Sequence, residues 1–194
     1  MYPDPKLTTV AHQRWAKLLQ PGAVAIDATV GNGHDALRLL NLVGPTGWVH
    51  GFDTQALALD RTRLLLAGHA NFSLHHASHA DMLSHIPPEH VGQVQLVVFN
   101  LGYLPQGDRE ATTQPASTRA ALQVSAELSA PGGWLSVLAY RRHPGGDEER
   151  RAVEEVVSSW NWYAEVQDSG SPTRPGPTWF LVRVPSPPQQ SASW

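Results

Sequence analysis

The stretch DATVGNGHDALRLL, residues Asp27–Leu40, decides the fold of this chain. It follows a short apolar run, AVAI at residues 23–26, and carries Gly31 and Gly33 just before a helical spacing of apolar residues. An apolar strand, a glycine turn and a helix in this order are typical of the first unit of a parallel α/β sheet. Because glycine adopts positive φ and lets a ligand approach the backbone, we expect a ligand site at this turn.

Further strands and helices alternate along the chain after this unit. The predicted strands are Ala23–Thr29, Trp48–Asp53, Phe72–Ala77, Val94–Phe99, Trp134–Tyr140, Trp162–Gln167 and Thr178–Val184. Alternation with short connections predicts one doubly wound, mostly parallel sheet of seven strands. The last two strands have no helix between them, so the final strand is expected to be antiparallel. We predict a single domain over residues 1–184 and a disordered tail over 185–194.

Helical patterns fill most intervals between these strands. Besides the helix after the glycine turn, the predicted helices are His12–Leu19, Gln55–Ala67, Thr113–Ala130 and Glu148–Trp160. In the second of these, Leu57, Leu64 and Leu65 are predicted apolar positions. Asp147 directly precedes the last helix, where we expect its side chain to act as the N-cap.

Composition excludes several classes of protein. With 41% apolar and 16% charged residues the chain has the make-up of a soluble globular protein, and no apolar run reaches the roughly 18 residues of a membrane span. The N-terminus lacks the pattern of a secretory signal, so we expect a cytoplasmic protein. There is no cysteine, which excludes disulfides and thiolate metal sites, and the spacing of the 10 histidines matches no zinc signature. We therefore predict no metal.

Two cofactors compete for the glycine turn. Gly31, Gly33 and Ala36 satisfy the G-x-G-x-x-G/A pattern of dinucleotide-binding proteins, which favours an NAD-dependent oxidoreductase. Asp53 ends the second strand 20 residues after Gly33, where a carboxylate can accept hydrogen bonds from ribose hydroxyls. Asp27 argues against NAD, because a carboxylate there repels a pyrophosphate but suits the ammonium group of S-adenosylmethionine.

Five segments carry a resemblance to a known family. DATVGNGHDAL, FDTQ, ASH, NLGYLPQGD and YRRHPGG, in this order and at these spacings, resemble the class I methyltransferases of the rRNA methylase family. The resemblance runs from about Thr8 to Val184 and implies a Rossmann-like fold with S-adenosylmethionine as cofactor.

The same resemblance implies a reaction and a partner. The reaction is N-methylation of the 5-aminomethyl group of the wobble uridine of tRNA (nm5(s2)U34 to mnm5(s2)U34), with the anticodon region as the bound part. A homodimer is common on this fold and is a candidate assembly here, and the sequence leaves the oligomeric state open. A small-molecule amine methyltransferase on the same fold stays open as an alternative, because the net charge of −3 is unusual for a protein that binds RNA.

The resemblance also implies which residues contact the cofactor. Asn32 and His34 hold its amino-acid end together with Asp27, Asp53 and Gln55 bind the ribose and adjoining groups, and Ser78 and His79 flank the adenine. Relatives often have asparagine where this chain has His34, and histidine likewise donates and accepts hydrogen bonds.

The segment Asn100–Tyr103 follows Val94–Phe99, the most apolar predicted strand, and looks like a variant of the Asn/Asp-Pro-Pro-Tyr/Phe loop of amino-group methyltransferases. Methylation of an amine requires a neutral nitrogen whose lone pair faces the sulfonium methyl. The Asn100 side chain and the carbonyl of Leu101 or Gly102 are expected to accept the hydrogens of the amine. Tyr103 is expected to stack on the uracil ring or to cover the methyl group.

Two loops supply the remaining candidates. Asp108, Tyr140 and His143 are candidates for taking the proton of the amine. Four arginines in or beside these loops are expected to form a local patch for RNA despite the acidic net charge. They are Arg109, Arg119, Arg141 and Arg142.

Overall fold

Seven strands form one sheet in the computed structural model of the chain, which describes residues 5–102, 113–171 and 173–186. The strands are β1 (Val24–Asp27), β2 (Trp48–Asp53), β3 (Phe72–His76), β4 (Val94–Leu101), β5 (Ser129–Ala139), β6 (Ala164–Ser171) and β7 (Arg174–Arg183). The helices are α1 (Pro5–Leu18), α2 (His34–Val43), α3 (Ala56–Leu65), α4 (Pro115–Leu128) and α5 (Gly146–Trp160), with short 3-10 helices at His79–Ser84 and Pro88–His90.

The strand order across the sheet is β3-β2-β1-β4-β5-β7-β6. Strands β1 to β5 pair in parallel, whereas β7 runs antiparallel to both β5 and β6. The predicted doubly wound, mostly parallel sheet with an antiparallel final strand is confirmed. The chain reverses its direction of travel across the sheet between β1 and β4, and in open α/β sheets ligands bind beyond the strand ends at such a point.

Helices cover both faces of the sheet. Strand β4 shows the division, since Leu96 and Val98 pack with α1 and α2 whereas Val97 and Phe99 pack with α4 and α5. Successive side chains of a strand point to opposite faces, so a central strand buried on both faces is apolar almost throughout. This is the physical reason why the predicted strand Val94–Phe99 could be recognised.

Helix α1 begins well before the predicted start at His12. Leu7, Ala11 and Trp15, spaced by four residues, are buried against the sheet, and the Trp15 indole N–H donates to the buried Ser136 hydroxyl at 2.9 Å. Burial of this stripe stabilises the added turns. The longer helix brings Thr8 and His12 to the edge of the sheet where the parallel strands end.

Two predictions about helix faces and caps are wrong. Leu57, Leu64 and Leu65 are 50%, 80% and 38% exposed, and α3 instead buries Ala58, Leu59 and Thr62. Small residues allow the close approach of α3 to the sheet that the leucines were expected to make.

Asp147 is not the N-cap of α5. Gly145 occupies that position with φ of +82°, and Asp147 lies in the first helical turn, where its carboxylate pairs with the Arg141 guanidinium at 2.6 Å. A carboxylate there still complements the helix dipole.

The final hairpin is longer than the predicted strands. The Gly- and Pro-rich segment between them continues the ladder, because Gly170 pairs with Pro175 and Ser171 with Arg174 after a register shift at Asp168. Gly170 has φ of +83°, which makes this irregular pairing accessible. Most of the predicted tail lies outside the described residues, and none of the described helices is long and apolar enough to cross a membrane.

Candidate active site

A cavity of about 690 Å³ opens where β1, β2, β4 and β5 end. Ten of the predicted site residues line it: Gly31, Asn32, His34, Asp53, Gln55, Ser78, His79, Asn100, Tyr140 and His143. Asp27 and Gly33 do not belong to its wall, and Tyr103 and Asp108 lie outside the described residues. The volume is in the ordinary range for a nucleotide-sized ligand.

The glycine turn and the end of β2 are joined by one carboxylate. Asp53 accepts the Gly31 N–H at 2.9 Å through Oδ2 and the Gln55 N–H at 2.8 Å through Oδ1. Burial raises the pKa of Asp53, and these backbone hydrogen bonds lower it in part. Each oxygen keeps a second lone pair, so the carboxylate can still accept hydroxyl groups of a ligand.

Gly33 serves the turn rather than the cavity wall. Its φ is +81°, and a Cβ built on it would lie 2.7 Å from Thr62 Oγ1, whose hydroxyl donates to the Gly31 carbonyl at 3.1 Å. Only glycine combines this backbone conformation with this close contact to α3. The structure gives Gly33 a role in shaping the turn, and its predicted cofactor contact stays a prediction.

Asp27 is fully buried beneath the site. Its Oδ1 accepts the Thr29 N–H at 3.2 Å, and its Oδ2 has no hydrogen-bond partner among the described residues. Burial raises the pKa of Asp27 well above its usual value, and the negative charges of Asp35 and Asp53 raise it further. Asp27 therefore lies behind the cavity wall, and its predicted contact with the amino-acid end of the cofactor stays a prediction.

Asn32 faces the cavity from the middle of the turn. Its Oδ1 accepts the Arg61 guanidinium at 3.3 Å, and its amide NH2 group has no partner among the residues that the structure describes. A free amide donor beside a helix N-terminus suits a carboxylate of a ligand.

His79, which follows β3 in the chain, lies in the cavity wall next to β4 and α4. Its ring is 7% exposed, lies edge-on to Phe99 with centroids 5.8 Å apart, and is 3.3 Å from Ser117 Oγ through Nε2. Burial lowers the pKa of His79 to about 4, so the ring is neutral at pH 7. Ser78 caps the following 3-10 helix by accepting the Ala80 N–H at 3.2 Å.

Asn100 is held by two residues that the sequence did not single out for this role. Its side-chain Nδ2 donates to Asp35 Oδ2 at 2.7 Å, and its backbone N–H donates to Thr29 Oγ1 at 2.7 Å. The other Asp35 oxygen, Oδ1, lies 2.7 Å from His12 Nε2. A carboxylate only accepts, so the Asn100 amide presents its NH2 group to Asp35 and retains Oδ1 as an acceptor.

The backbone beyond Asn100 is already engaged. The Leu101 carbonyl accepts the Tyr140 N–H at 3.1 Å, and the Gly102 carbonyl accepts the Thr113 N–H at 3.2 Å. These carbonyls have one lone pair left, so their expected role as acceptors for an amine is reduced relative to that of Asn100. Thr113 in turn donates to the buried Glu149 at 2.7 Å, and burial raises the pKa of that carboxyl.

The predicted arginine patch is divided by the fold. Arg141 and Arg142 line the cavity, whereas Arg119 pairs with Glu155 away from the wall and Arg109 lies outside the described residues. Arg174 of the β6–β7 hairpin also lines the cavity. The sequence offered no signal for this role, because its segment was predicted only as a Gly- and Pro-rich hairpin or loop between the last two strands.

The described residues contain no group of three or more His, Cys, Asp or Glu side chains arranged to hold a metal ion. The absence of a metal cofactor stays a prediction.

The fold and the cavity define an α/β protein whose cavity has the size and the position of a nucleotide-binding site. Comparisons with known proteins show which family of α/β proteins this is. The chain belongs to the "Putative rRNA methylase" family, whose model matches residues 49–167. The matched segment includes Asp53 and Asn100 and begins after the glycine turn.

Three similar proteins are informative. The tRNA (mnm(5)s(2)U34)-methyltransferase, chloroplastic, of Arabidopsis thaliana is 37% identical over 171 residues, which cover 80% of this chain. The match spans only 62% of that relative's length. A crystal structure of a putative rRNA methylase from Clostridium thermocellum has a TM-score of 0.82 at 29% identity, covering 94% of this chain and 98% of that one. A putative methyltransferase from Streptococcus mutans in complex with SAH has a TM-score of 0.78 at 28% identity, covering 94% and 99%.

Proposed function

We propose that this protein is an S-adenosylmethionine-dependent methyltransferase that methylates the 5-aminomethyl nitrogen of the wobble uridine of tRNA. The observation that carries the proposal is the placement of Asn100 and Asp53 on one cavity, with the Asn100 amide held by Asp35. The similarity to the Arabidopsis tRNA (mnm(5)s(2)U34)-methyltransferase supports the acceptor, and the similarity to the SAH-bound Streptococcus mutans protein supports the cofactor.

The residues present fit S-adenosylmethionine. Asp53 is placed to accept the ribose hydroxyls, and the free amide donor of Asn32 suits the carboxylate of the amino-acid end. Asp27 stays the predicted carboxyl for the ammonium group, and its Oδ2 has no hydrogen-bond partner among the described residues. When bound, the cofactor supplies a methyl group on a sulfonium, which is a good leaving group.

The protein's part in the reaction is chiefly positioning. Asn100 Oδ1 accepts a hydrogen of the amine and so directs the nitrogen lone pair. The hydrogen bond from Asn100 Nδ2 to Asp35 prevents rotation of the side-chain amide, which keeps Oδ1 in place. Correct placement of two reacting groups supplies on the order of 7–11 kcal/mol of the barrier. Tyr140 and His143 line the same cavity and remain the proposed acceptors of the amine's proton.

The structure argues against NAD as the ligand. Asp27, Asp35 and Asp53 lie close enough to interact electrostatically around the turn where a pyrophosphate would bind. A dianion beside three carboxyl groups is unfavourable. The antiparallel β7 next to β5 also departs from the 3-2-1-4-5-6 order of dinucleotide-binding sheets.

The experiment that tests the proposal uses tRNA from a strain that lacks the final methyl group. Purified protein is incubated with this tRNA and labelled S-adenosylmethionine, and the digested nucleosides are identified by mass spectrometry. We expect 5-methylaminomethyl-(2-thio)uridine to form, and Asn100→Ala to abolish it. Transfer to free amines but not to tRNA would instead favour the small-molecule alternative.

A homodimer and a cytoplasmic location complete the proposal as expectations from the sequence. Light scattering of the purified protein measures the first, and cell fractionation the second.

A further inference from the structure

The β6–β7 hairpin projects past the edge of the sheet on which the cavity opens. The last residue of β5, Ala139, pairs with Thr178, but the β6–β7 ladder continues to the pair Ser171 and Arg174. Because β7 is antiparallel to β5, its first residues lie beyond the carboxyl end of β5. Gly170, Arg174 and Gly176 consequently line the far end of the cavity.

Close contacts join the two strands of the projecting hairpin. A Cβ on Gly170 would lie 2.4 Å from the Arg174 carbonyl oxygen, and one on Gly176 would lie 2.4 Å from Ser169 Oγ. The Ser169 hydroxyl also donates to the Pro177 carbonyl at 2.9 Å. The two strands are therefore closely packed at Gly170 and Gly176, which limits the positions open to the backbone between Arg174 and Gly176.

Two guanidinium groups at this end of the cavity are available to a partner. Among the arginines that the structure describes, only Arg142 and Arg174 have side chains without a hydrogen bond, ion pair or aromatic contact, and both are exposed and line the cavity. Arg141, which directly precedes Arg142 in the chain, is paired with the Asp147 carboxylate at 2.6 Å and is therefore already neutralised.

The charges of the cavity are thus separated. Asp35 and Asp53 lie at the end beside the glycine turn, and Arg142 and Arg174 lie at the end beside the hairpin. An unpaired guanidinium matches the geometry of a phosphate, and a chain with a net charge of −3 has little general attraction for RNA. In a protein of this net charge, two guanidinium groups without ion-pair partners at one end of the cavity provide the local positive charge that binding of a polyanionic acceptor needs.

We propose that Arg142 and Arg174, the latter carried by the β6–β7 hairpin, bind the phosphates that flank the acceptor nucleotide. This inference rests on the proposed function, because it assigns the RNA-binding surface of the same site. The hairpin then serves as a fixed arm that holds the RNA strand while the acceptor base enters the cavity.

The test compares two double variants that remove the same charge. Arg142→Ala/Arg174→Ala removes the free pair, and Arg63→Ala/Arg151→Ala removes two exposed arginines that are paired with Asp60 and Glu148 and do not line the cavity. The dissociation constant for the undermethylated tRNA is measured by filter binding over a series of NaCl concentrations, with S-adenosylhomocysteine present.

For Arg142→Ala/Arg174→Ala we expect binding about 10-fold weaker or worse at about 0.1 M salt, and a log–log salt slope smaller by about 1 to 2. Its affinity for S-adenosylhomocysteine and its melting temperature should match the wild type, and Arg142→Lys/Arg174→Lys should recover most of the tRNA affinity. The control double variant should bind as the wild type does.

Equal tRNA affinity and salt slope in the two double variants would overturn the assignment of this surface while leaving the proposed function intact. Equal loss of activity toward tRNA and toward a free amine would also overturn it, since the arginines would then serve the site itself. A wild-type protein that binds S-adenosylhomocysteine but transfers no methyl to tRNA would remove the proposed function.

Discussion

The side-chain amide of Asn100 donates to the carboxylate of Asp35 at 2.7 Å, although the two residues are 65 positions apart. Asp35 is the second residue of α2, the helix after the glycine turn, and it also contacts His12 of α1. One carboxylate therefore connects the turn, the end of β4 and the N-terminal helix. This connection fixes which atom of the asparagine remains for a substrate.

Loss of the Asp35 carboxylate should affect turnover more than cofactor binding. In Asp35→Ala the Asn100 amide is free to rotate, and misplacement of a positioning group costs on the order of 100-fold in rate. We expect kcat to fall by about 10- to 100-fold while the affinity for S-adenosylhomocysteine changes little. Steady-state kinetics and calorimetry measure the two quantities.

Asp60→Ala is the matched control for this prediction, because Asp60 is an exposed carboxylate that pairs with Arg63 outside the cavity. If Asp35→Ala weakened cofactor binding as strongly as it lowered kcat, Asp35 would belong to the cofactor site instead.

Substitution of Asp53 should directly weaken the binding of the cofactor. Asp53→Asn keeps the size of the side chain but replaces one acceptor oxygen with a donor, which opposes the backbone N–H of Gly31 or Gln55. Hydrogen bonds to a charged group contribute about 1.5–3 kcal/mol, so we expect affinity for S-adenosylhomocysteine to fall by about 10- to 100-fold. Isothermal calorimetry tests this, and unchanged affinity would place the ribose elsewhere.

Position 33 requires glycine for two reasons, its positive φ and its close contact with Thr62, and the stability cost of each can be measured separately. Gly33 and Gly92 both have positive φ, +81° and +73°, but only at Gly33 would a Cβ collide, 2.7 Å from Thr62 Oγ1. Gly92→Ala should cost about 1 kcal/mol of unfolding free energy from the backbone alone. Gly33→Ala should cost roughly 1–3 kcal/mol more through the collision. Urea denaturation measures both, and equal losses would contradict the close contact of Gly33 with Thr62.

A histidine cluster away from the cavity should make the fold sensitive to acid. His50 lies 3.2 Å from His75 and 2.9 Å from His90 through its two ring nitrogens, and burial lowers the pKa of His50 to about 3 from 6.5. Below about pH 6.5 the unfolded chain binds a proton at this position that the folded chain does not bind until about pH 3.

The free energy of unfolding should therefore decrease as the pH falls through this window, by up to about 1.4 kcal/mol per pH unit for His50. In His50→Gln this dependence should be shallower, whatever the change in absolute stability. Urea denaturation between pH 7 and pH 4 measures the slope, with His69→Gln as a control for loss of a histidine outside the cluster. An identical slope in His50→Gln and the wild type would refute the prediction.

Local sequence could predict the strands and helices in which buried apolar residues recur at the spacing of that type of element. Strand β4 is apolar on both faces, α2 buries Ala36, Leu40 and Val43 as its spacing indicates, and the glycines of the turn have the positive φ that their position demands. Asp53 was also predictable, because the carboxyl end of β2 adjoins that of β1 in any sheet of this order.

Other features depend on contacts between distant segments. Nothing local distinguishes the exposed leucines of α3 from core leucines. Nor does local sequence show that α1 begins before His12, or that His12 lies against Asp35. The projection of Arg174 follows from the offset between β5 and the β6–β7 ladder, which is set by pairing across the sheet.

The sequence alone thus determined the sheet and the turn, since these follow from the period of burial and from backbone conformations that only glycine adopts readily. The cofactor was inferred from Asp27 and from the resemblance of five segments to a family of methyltransferases. The tertiary structure decided which side chains meet in the cavity, because helix packing and strand register bring together residues that are far apart in the chain.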